Sequence, residues 1–247
     1  MRAKAELRAL PESAAVAGLD RSRWTEAGPG NIGGRIRSML IDPVTPSTIF
    51  VGSITGGIWK TTDAGQNWAR IDDFLGNLTI STMVMDPANR LVMYAGTGEE
   101  AQTHRGAGIW KTTDGGNSWA RLASTNTSDF YYVWRLSISA DGSTLLAGLG
   151  AGQGLHRSTN GGTSWTKVRS PGSTGAAYWD VRFHPTKSNV AVAAFSEYDF
   201  NNNYHVSTVA YSTDGGATWT DSTSAVRSTN VNKAERIELA WHGGYSG

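Results

Sequence analysis

The sequence contains no cysteine in its 247 residues, which excludes a disulfide framework and any thiolate metal site. That absence does not separate the cytoplasm from a bacterial exterior. Charge is scarce as well: 17% of residues are charged, and 22 basic side chains nearly cancel 21 acidic ones. Such a balance leaves no field to steer nucleic acid or an anionic membrane surface, so no nucleic-acid partner is expected. No apolar run approaches the roughly 20 residues of a membrane-spanning helix, and membrane insertion is not expected. The apolar stretch AAVAG near the N-terminus is shorter than the core of a signal peptide, about 7–15 residues. His104, His156, His184, His205 and His242 show no metal-ligand spacing. GLGAGQG (148–154) lacks the G-x-G-x-x-G pattern and stands between two strands, not before a helix. No metal and no cofactor is implied.

What the chain has in excess is glycine, 30 residues, and tryptophan, 10 residues, a mix that reads as many turns between many strands. TTDAGQNW (61–68), TTDGGNSW (112–119), STNGGTSW (158–165) and STDGGATW (212–219) are one motif written four times, its markers Asp63, Asp114, Asn160 and Asp214 standing 51, 46 and 54 residues apart. Such periods signal a repeat architecture. Each repeat has the same grammar: an alternating apolar strand, a turn, a second strand, a loop, a third strand, the motif and a fourth strand. Four strands per repeat is a propeller blade. In the first strands Met39 and Ile41, Met83 and Met85, Leu136 and Ile138, and Val181 and Phe183 share one face, expected to pack on a neighbouring blade.

The expected fold is therefore all-β, a β-propeller of four-stranded antiparallel blades over roughly 34–71, 79–122, 132–168 and 178–221. RIELAW (236–241) opens a fifth blade within 235–247. Residues 1–23 read as a loosely ordered leader and 24–247 as the propeller, expected to be incomplete at its C-terminal side. Closed rings hold about 4–8 blades, so further blades of the same propeller, or a second chain, are expected to close it.

The repeated motif resembles the Asp-box, Ser/Thr-x-Asp-x-Gly-x-x-Trp, of the BNR-repeat propellers: sialidases, sortilin-like receptors, xyloglucanases and a photosystem II assembly factor. The physical reading agrees with the resemblance. The acid of Asp63, Asp114 and Asp214, or the amide of Asn160, would accept backbone N–H bonds two or three residues on. Gly65, Gly116, Gly162 and Gly216 supply positive φ, and Thr61, Thr112, Ser158 and Ser212 bond the turn from its other side. Trp68, Trp119, Trp165 and Trp219 each offer about 150–250 Å² to bury. Because a radial repeat spreads the four acids around the rim, they are scaffold, not a converging catalytic set.

Function is then expected on the opposite face, in the loops from strand two to three and from each blade to the next. Those loops bring Glu99, Glu100, His104 and Arg105; Asp129, Tyr131, Tyr132, Trp134 and Arg135; and Glu197, Tyr198, Asp199 and Tyr204. Rings beside carboxylates suit sugars, and the same set suits a protein interface. At the channel mouth, Arg37, Ser81, Trp134, Trp179 and Ile237 fall in one register, and Ser38, Thr82, Arg135, Asp180 and Glu238 in the next. There Arg135 with Asp180, and Arg182 with Glu238, are the natural ion pairs.

The resemblance implies two enzyme classes to compare. Sialidases carry a Phe/Tyr-Arg-Ile-Pro motif whose arginine grips a carboxylate; Gly34-Arg35-Ile36-Arg37 keeps only Arg-Ile, so Arg35 and Arg37 remain ligand candidates. Xyloglucanases place a catalytic acid after the first blade in a Trp-rich stretch; DDFLGNLTIST offers Asp72 and Asp73 without the tryptophans. The expectation is a non-catalytic binding propeller for a glycan or protein, the alternative being a glycoside hydrolase with part of its site outside this sequence. Resemblance implies an extracellular or cell-surface location, with the cytoplasm left open.

Overall fold

The computed structural model describes residues 35–71, 79–99, 104–170, 177–199, 204–222, 226–227 and 237–241, with backbone only at 177–179, 196–199, 204–206 and 226–227. The leader at 1–23, Asp72, Asp73 and Glu100 lie outside these residues.

Four antiparallel sheets follow one another along the chain. The first holds β1 (Ile36–Ile41), β2 (Ile49–Ser53), β3 (Gly57–Thr61) and β4 (Ala69–Ile71). The second holds β5 (Ile80–Met85), β6 (Met93–Thr97), β7 (Ile109–Thr112) and β8 (Ala120–Arg121). The third is β9 (Val133–Ile138), β10 (Leu145–Leu149), β11 (Gly154–Ser158) and β12 (Thr166–Arg169), and the fourth is β13 (Ala177–Phe183), β14 (Ala191–Asp199), β15 (Tyr204–Ser212) and β16 (Thr220–Asp221). Each is a meander, as a propeller blade requires. First strands lie against first strands, β1 on β5, β5 on β9 and β9 on β13, so they line the axis.

The core sits between blades. Phe50, Ile58 and Ile71 of the first sheet pack with Ile80, Met83, Met93 and Trp119 of the second. Tyr94 and Ile109 then meet Val133, Leu136 and Leu145, and Leu146 and Leu155 meet Val181, Phe183 and Ala193. Alternation in the strands thus buries both sheet faces against neighbours.

All four motifs form the expected hairpin between strands three and four. The hydroxyl is its pivot: in the second blade Thr112 Oγ1 donates to Asp114 Oδ1 (2.7 Å) and accepts from Gly116 N–H (3.1 Å). Asp114 Oδ1 then accepts the N–H groups of Asn117 and Ser118, each at 2.9 Å. The acid therefore reaches three and four residues on, one further than expected, because the hydroxyl fills the nearer position. Asn160 does the same with an amide, taking Ser164 N–H on Oδ1 at 3.0 Å. Hydrogen bonding holds the Asp63 and Asp214 carboxyls down to about 2: the Asn67 N–H leads at Asp63, the Thr218 hydroxyl at Asp214. Asp114 is lowered too, chiefly by the Ser118 hydroxyl.

A cation at each junction ties consecutive blades at these hairpins. Lys60 Nζ donates to the Gly115 carbonyl (3.4 Å), Lys111 Nζ to Gly161 (3.3 Å) and Arg157 Nε to Gly215 (2.7 Å). Each cation immediately precedes the motif of its own blade.

Three segments differ from expectation. Residues 196–206 read as a loop, yet β14 and β15 run on through Glu197↔Val206, Tyr198↔His205 and Asp199↔Tyr204. The alternation of this stretch is hidden by its polarity, and a hairpin satisfies backbone groups that a loop would leave open. Residues Val226–Arg227 form β17 and extend that hairpin by pairing with β15. Residues 237–241, expected as the first strand of a fifth blade, carry no ladder pairing among the described residues. They do sit where that strand belongs: Leu239 N–H donates to Asp180 Oδ2 at 2.8 Å, as Leu136 N–H donates to Thr82 Oγ1 at 3.2 Å two junctions earlier.

Candidate functional site

The face opposite the motif hairpins gathers residues from three blades. Glu99, at the end of β6, is buried. Its carboxylate pairs with the Arg35 guanidinium of the first blade and lies 2.7 Å from His104 Nδ1. The segment closes on itself through Glu99 N–H to the His104 carbonyl at 2.8 Å. Arg105 then places its guanidinium 3.3 Å from the centre of the Tyr131 ring, in the approach to the third blade. A cation over a ring face is attracted by the ring quadrupole, by about 0.5–1 kcal/mol when exposed.

Backbone geometry fixes this cluster. Gly98 holds φ at +105°, and a Cβ there would come 2.3 Å from the Tyr131 carbonyl. Gly106 N–H donates to that same carbonyl at 2.8 Å. Thr97 Oγ1 bridges the base, donating to the Gly108 carbonyl and accepting from Ala107 N–H, both at 2.7 Å. The sequence already groups Glu99, His104 and Arg105 in one loop; the fold adds Arg35 beside Glu99 and Tyr131 beneath Arg105. Sequence reading missed Gly98, whose signal is a glycine ending a strand just before a charged pair.

A second feature repeats at the channel mouth. The ladders skip one residue in each first strand: Ile36 and Ser38 pair with Ser53 and Gly52, leaving Arg37 out; Ser81, Trp134 and Trp179 are skipped likewise. The register column read from the sequence is therefore a column of β-bulges, which re-aim a side chain at a rim. Ser81 uses its place to donate to the Gly96 carbonyl (2.9 Å) and to the Val133 carbonyl of the next blade. The half-buried Trp134 ring lies so close to Gly150 that a Cβ there would stand 2.6 Å from Cε2.

Beside the bulges, Asp180 is fully buried. Its Oδ1 lies 3.0 Å from Arg135 Nε, within reach of charge attraction although the N–H is not aimed at it, and both oxygens accept from Arg182 Nε at 3.1 and 3.2 Å. With Leu239 N–H on Oδ2, this carboxylate joins three successive blades' worth of chain. Arg37, Asp129 and Tyr132 are half-buried nearby in sequence. Glu197, Tyr198, Asp199 and Tyr204 stand on the β14–β15 hairpin, and Trp179 on β13, with backbone alone described.

On the motif face a cleft of about 230 Å³ opens between the first two blades, lined by Asp42, Phe50, Lys60, Arg90 and Asp114 among others. Its charges answer one another: Arg90 bonds Asp42 at 2.6 Å and Lys60 bonds Gly115. Among the described residues no three His, Asp or Glu side chains are grouped to hold a metal ion, and no helix is long and apolar enough to cross a membrane.

Comparison with known proteins places this geometry. A xyloglucanase of a Paenibacillus species is 26% identical over 141 residues, 46% of this chain and 13% of that protein. Xyloglucanase Xgh74A of Acetivibrio thermocellus is 26% identical over 105 residues, 36% of this chain and 12% of its own length. The chain thus matches about an eighth of these relatives. The GH74 enzyme of Niastella koreensis superposes with a TM-score of 0.59 at 25% identity, over 75% of this chain and 29% of that one. YCF48 bound to D1 peptide superposes with a TM-score of 0.52 at 17% identity, over 79% and 55%, a likeness of fold alone. The Sortilin-Vps10 family model, described as sortilin, neurotensin receptor 3, matches residues 108–240, just over half of the chain. With four meander blades, Asp-box hairpins and this match, the chain belongs to the Sortilin-Vps10 family.

Proposed function

We propose that this propeller is a non-catalytic binding domain, extracellular or on the cell surface, that takes a glycan or a protein on the face carrying Arg35, Glu99, His104, Arg105 and Tyr131. The observation that carries the reading is that the Arg35–Glu99–His104 group and, next to it in the chain, Arg105 over Tyr131 stand on one face where the first two blades and the connection to the third meet. The cluster has backbone hydrogen bonds at Glu99 and Gly106 and exposed guanidinium groups at its rim, able to give up solvent for a ligand's oxygens. Trp134, Tyr132 and the β14–β15 hairpin extend the face towards the channel mouth. Residues 24–247 act as one propeller in this reading, with further blades or a second chain completing the ring.

The test is titration calorimetry against xyloglucan oligosaccharides and against a peptide library. Arg105→Ala and Tyr131→Ala should each weaken any binding about tenfold, the loss of roughly 1.4 kcal/mol. Binding that persists unchanged in both variants sinks the proposal. The second reading, a glycoside hydrolase, draws on the likeness to xyloglucanases; release of reducing ends from xyloglucan, abolished by Asp72→Asn or Asp73→Asn, would favour it instead.

A further inference from the structure

The three junctions between blades share one chemistry. The entering face of each later blade is sealed: Met83, Leu136 and Val181 are 6%, 3% and 0% exposed. At each, the preceding blade's cation caps the carbonyl of the first glycine in the motif, Gly115, Gly161 or Gly215, all with positive φ. Two of the cations also lie over an aromatic ring of their own blade, Lys60 over Phe50 and Lys111 over Tyr94, each 5.2 Å from the centroid.

The first blade offers the same entering face with nothing on it among the described residues. Met39 and Ile41 occupy the positions of Met83 and Met85, yet are 60% and 50% exposed. Its motif turn is built like the others, with Ala64 at φ 57° where they have glycine and Ala64 N–H on the Ser47 carbonyl at 2.9 Å, as Gly115 N–H is on Leu91 at 3.0 Å. The Ala64 carbonyl is thus presented as Gly115 presents its own. No cation from a described residue bonds it.

At the other end the exit side of the fourth blade does not match. Tyr211 stands where Lys60, Lys111 and Arg157 stand, and the inner position beyond that blade is taken by 237–241 through Leu239 on Asp180 and the Trp241 ring 4.7 Å from His184. A second copy of this chain, or closure of these four blades on themselves, would bring a phenol and not a cation to Ala64.

We propose that the open face of β1 is an interblade interface whose partner is an Asp-box blade of different sequence from those described. Its third strand carries Lys or Arg immediately before its own Ser/Thr-x-Asp-x-Gly-x-x-Trp motif. That cation caps the Ala64 carbonyl while apolar strand residues cover Met39 and Ile41. The partner is recognised by continuity: it repeats the contact made three times within the molecule. The inference is independent of what the loop face binds.

The experiment uses the protein produced from its natural gene, with the photoreactive residue p-benzoylphenylalanine placed at position 39. After irradiation and digestion, the cross-linked peptide should come from the same polypeptide and carry Lys or Arg directly before an Asp-box. A cross-link to residues 1–34, a cross-linked dimer, or the absence of any cross-link overturns the proposal. Thiol labelling, read after digestion on the peptide that holds position 39, guards against a misfolded variant, since residues 1–247 contribute no other cysteine to that peptide. Met39→Cys should react with a maleimide at least tenfold more slowly than Cys at the exposed Asn126 in Asn126→Cys; equal rates overturn it.

Discussion

His156 occupies, in the third blade, the strand position that Trp59 and Trp110 hold in the first two. It is buried with its ring edge-on to Phe130, centroids 5.3 Å apart. Burial pushes its pKa down to about 4, with Lys167 adding to the shift and Asp129 opposing it. The unfolded chain binds a proton near 6.5 that the folded chain refuses, so the neutral ring favours the fold fully above pH 6.5. That contribution is lost as pH falls towards 4, and amounts to about 3 kcal/mol at most. Urea unfolding at pH 7 and pH 4.5 should show it, and His156→Phe should flatten the difference; an unchanged difference in the variant would assign it elsewhere. At this scale little of the candidate site was legible. Glu99, His104 and Arg105 share one loop in the sequence, but only the packing of one blade on the next brings Arg35 and Tyr131 to them.

Elements were legible wherever a residue type has one structural use. Ser or Thr, then Asp, then Gly, then Trp at fixed spacing can only close a hairpin of this kind, and Asn160 shows that an amide oxygen suffices. The β14–β15 extension was not legible, because SEYDFNNNYHV hides period-2 alternation under polar side chains whose ladder partners are the only clue. Within an element, burial decides the energetics. Trp119 is 7% exposed and seals the first junction with Phe50 and Met83. Trp119→Ala should cost about 3–5 kcal/mol, as large-to-small changes of a buried ring do. A change in the urea midpoint with an unchanged slope would report it; a loss below about 1 kcal/mol would mean the neighbouring blades collapse into the space.

For the whole molecule, the relevant quantity is the sum over repeats, since each blade touches only its neighbours. The carboxyls of Asp63 and Asp214 sit at about 2 and Asp114 is also lowered. All three favour the folded state above the usual carboxyl range near 3.8; the contributions of Asp63 and Asp214 are lost as pH falls through about 2, and that of Asp114 persists to lower pH. The triple substitution Asp63→Asn, Asp114→Asn and Asp214→Asn should flatten the acid limb of stability between those values while leaving the limb from 6.5 to 4 in place. An acid limb of unchanged steepness would mean that other carboxyls govern it.

The skipped residues in the first strands have a consequence for how this architecture can change. Arg37, Ser81, Trp134 and Trp179 are excused from the ladder, so the sheet makes no demand on their identity, and a cation, a hydroxyl and two indoles already share the role. Each blade thereby owns one letter at the mouth whose identity the ladder does not dictate and whose neighbours do: Ser81 is held to its place by the Gly96 and Val133 carbonyls, and Trp134 by the bare backbone of Gly150.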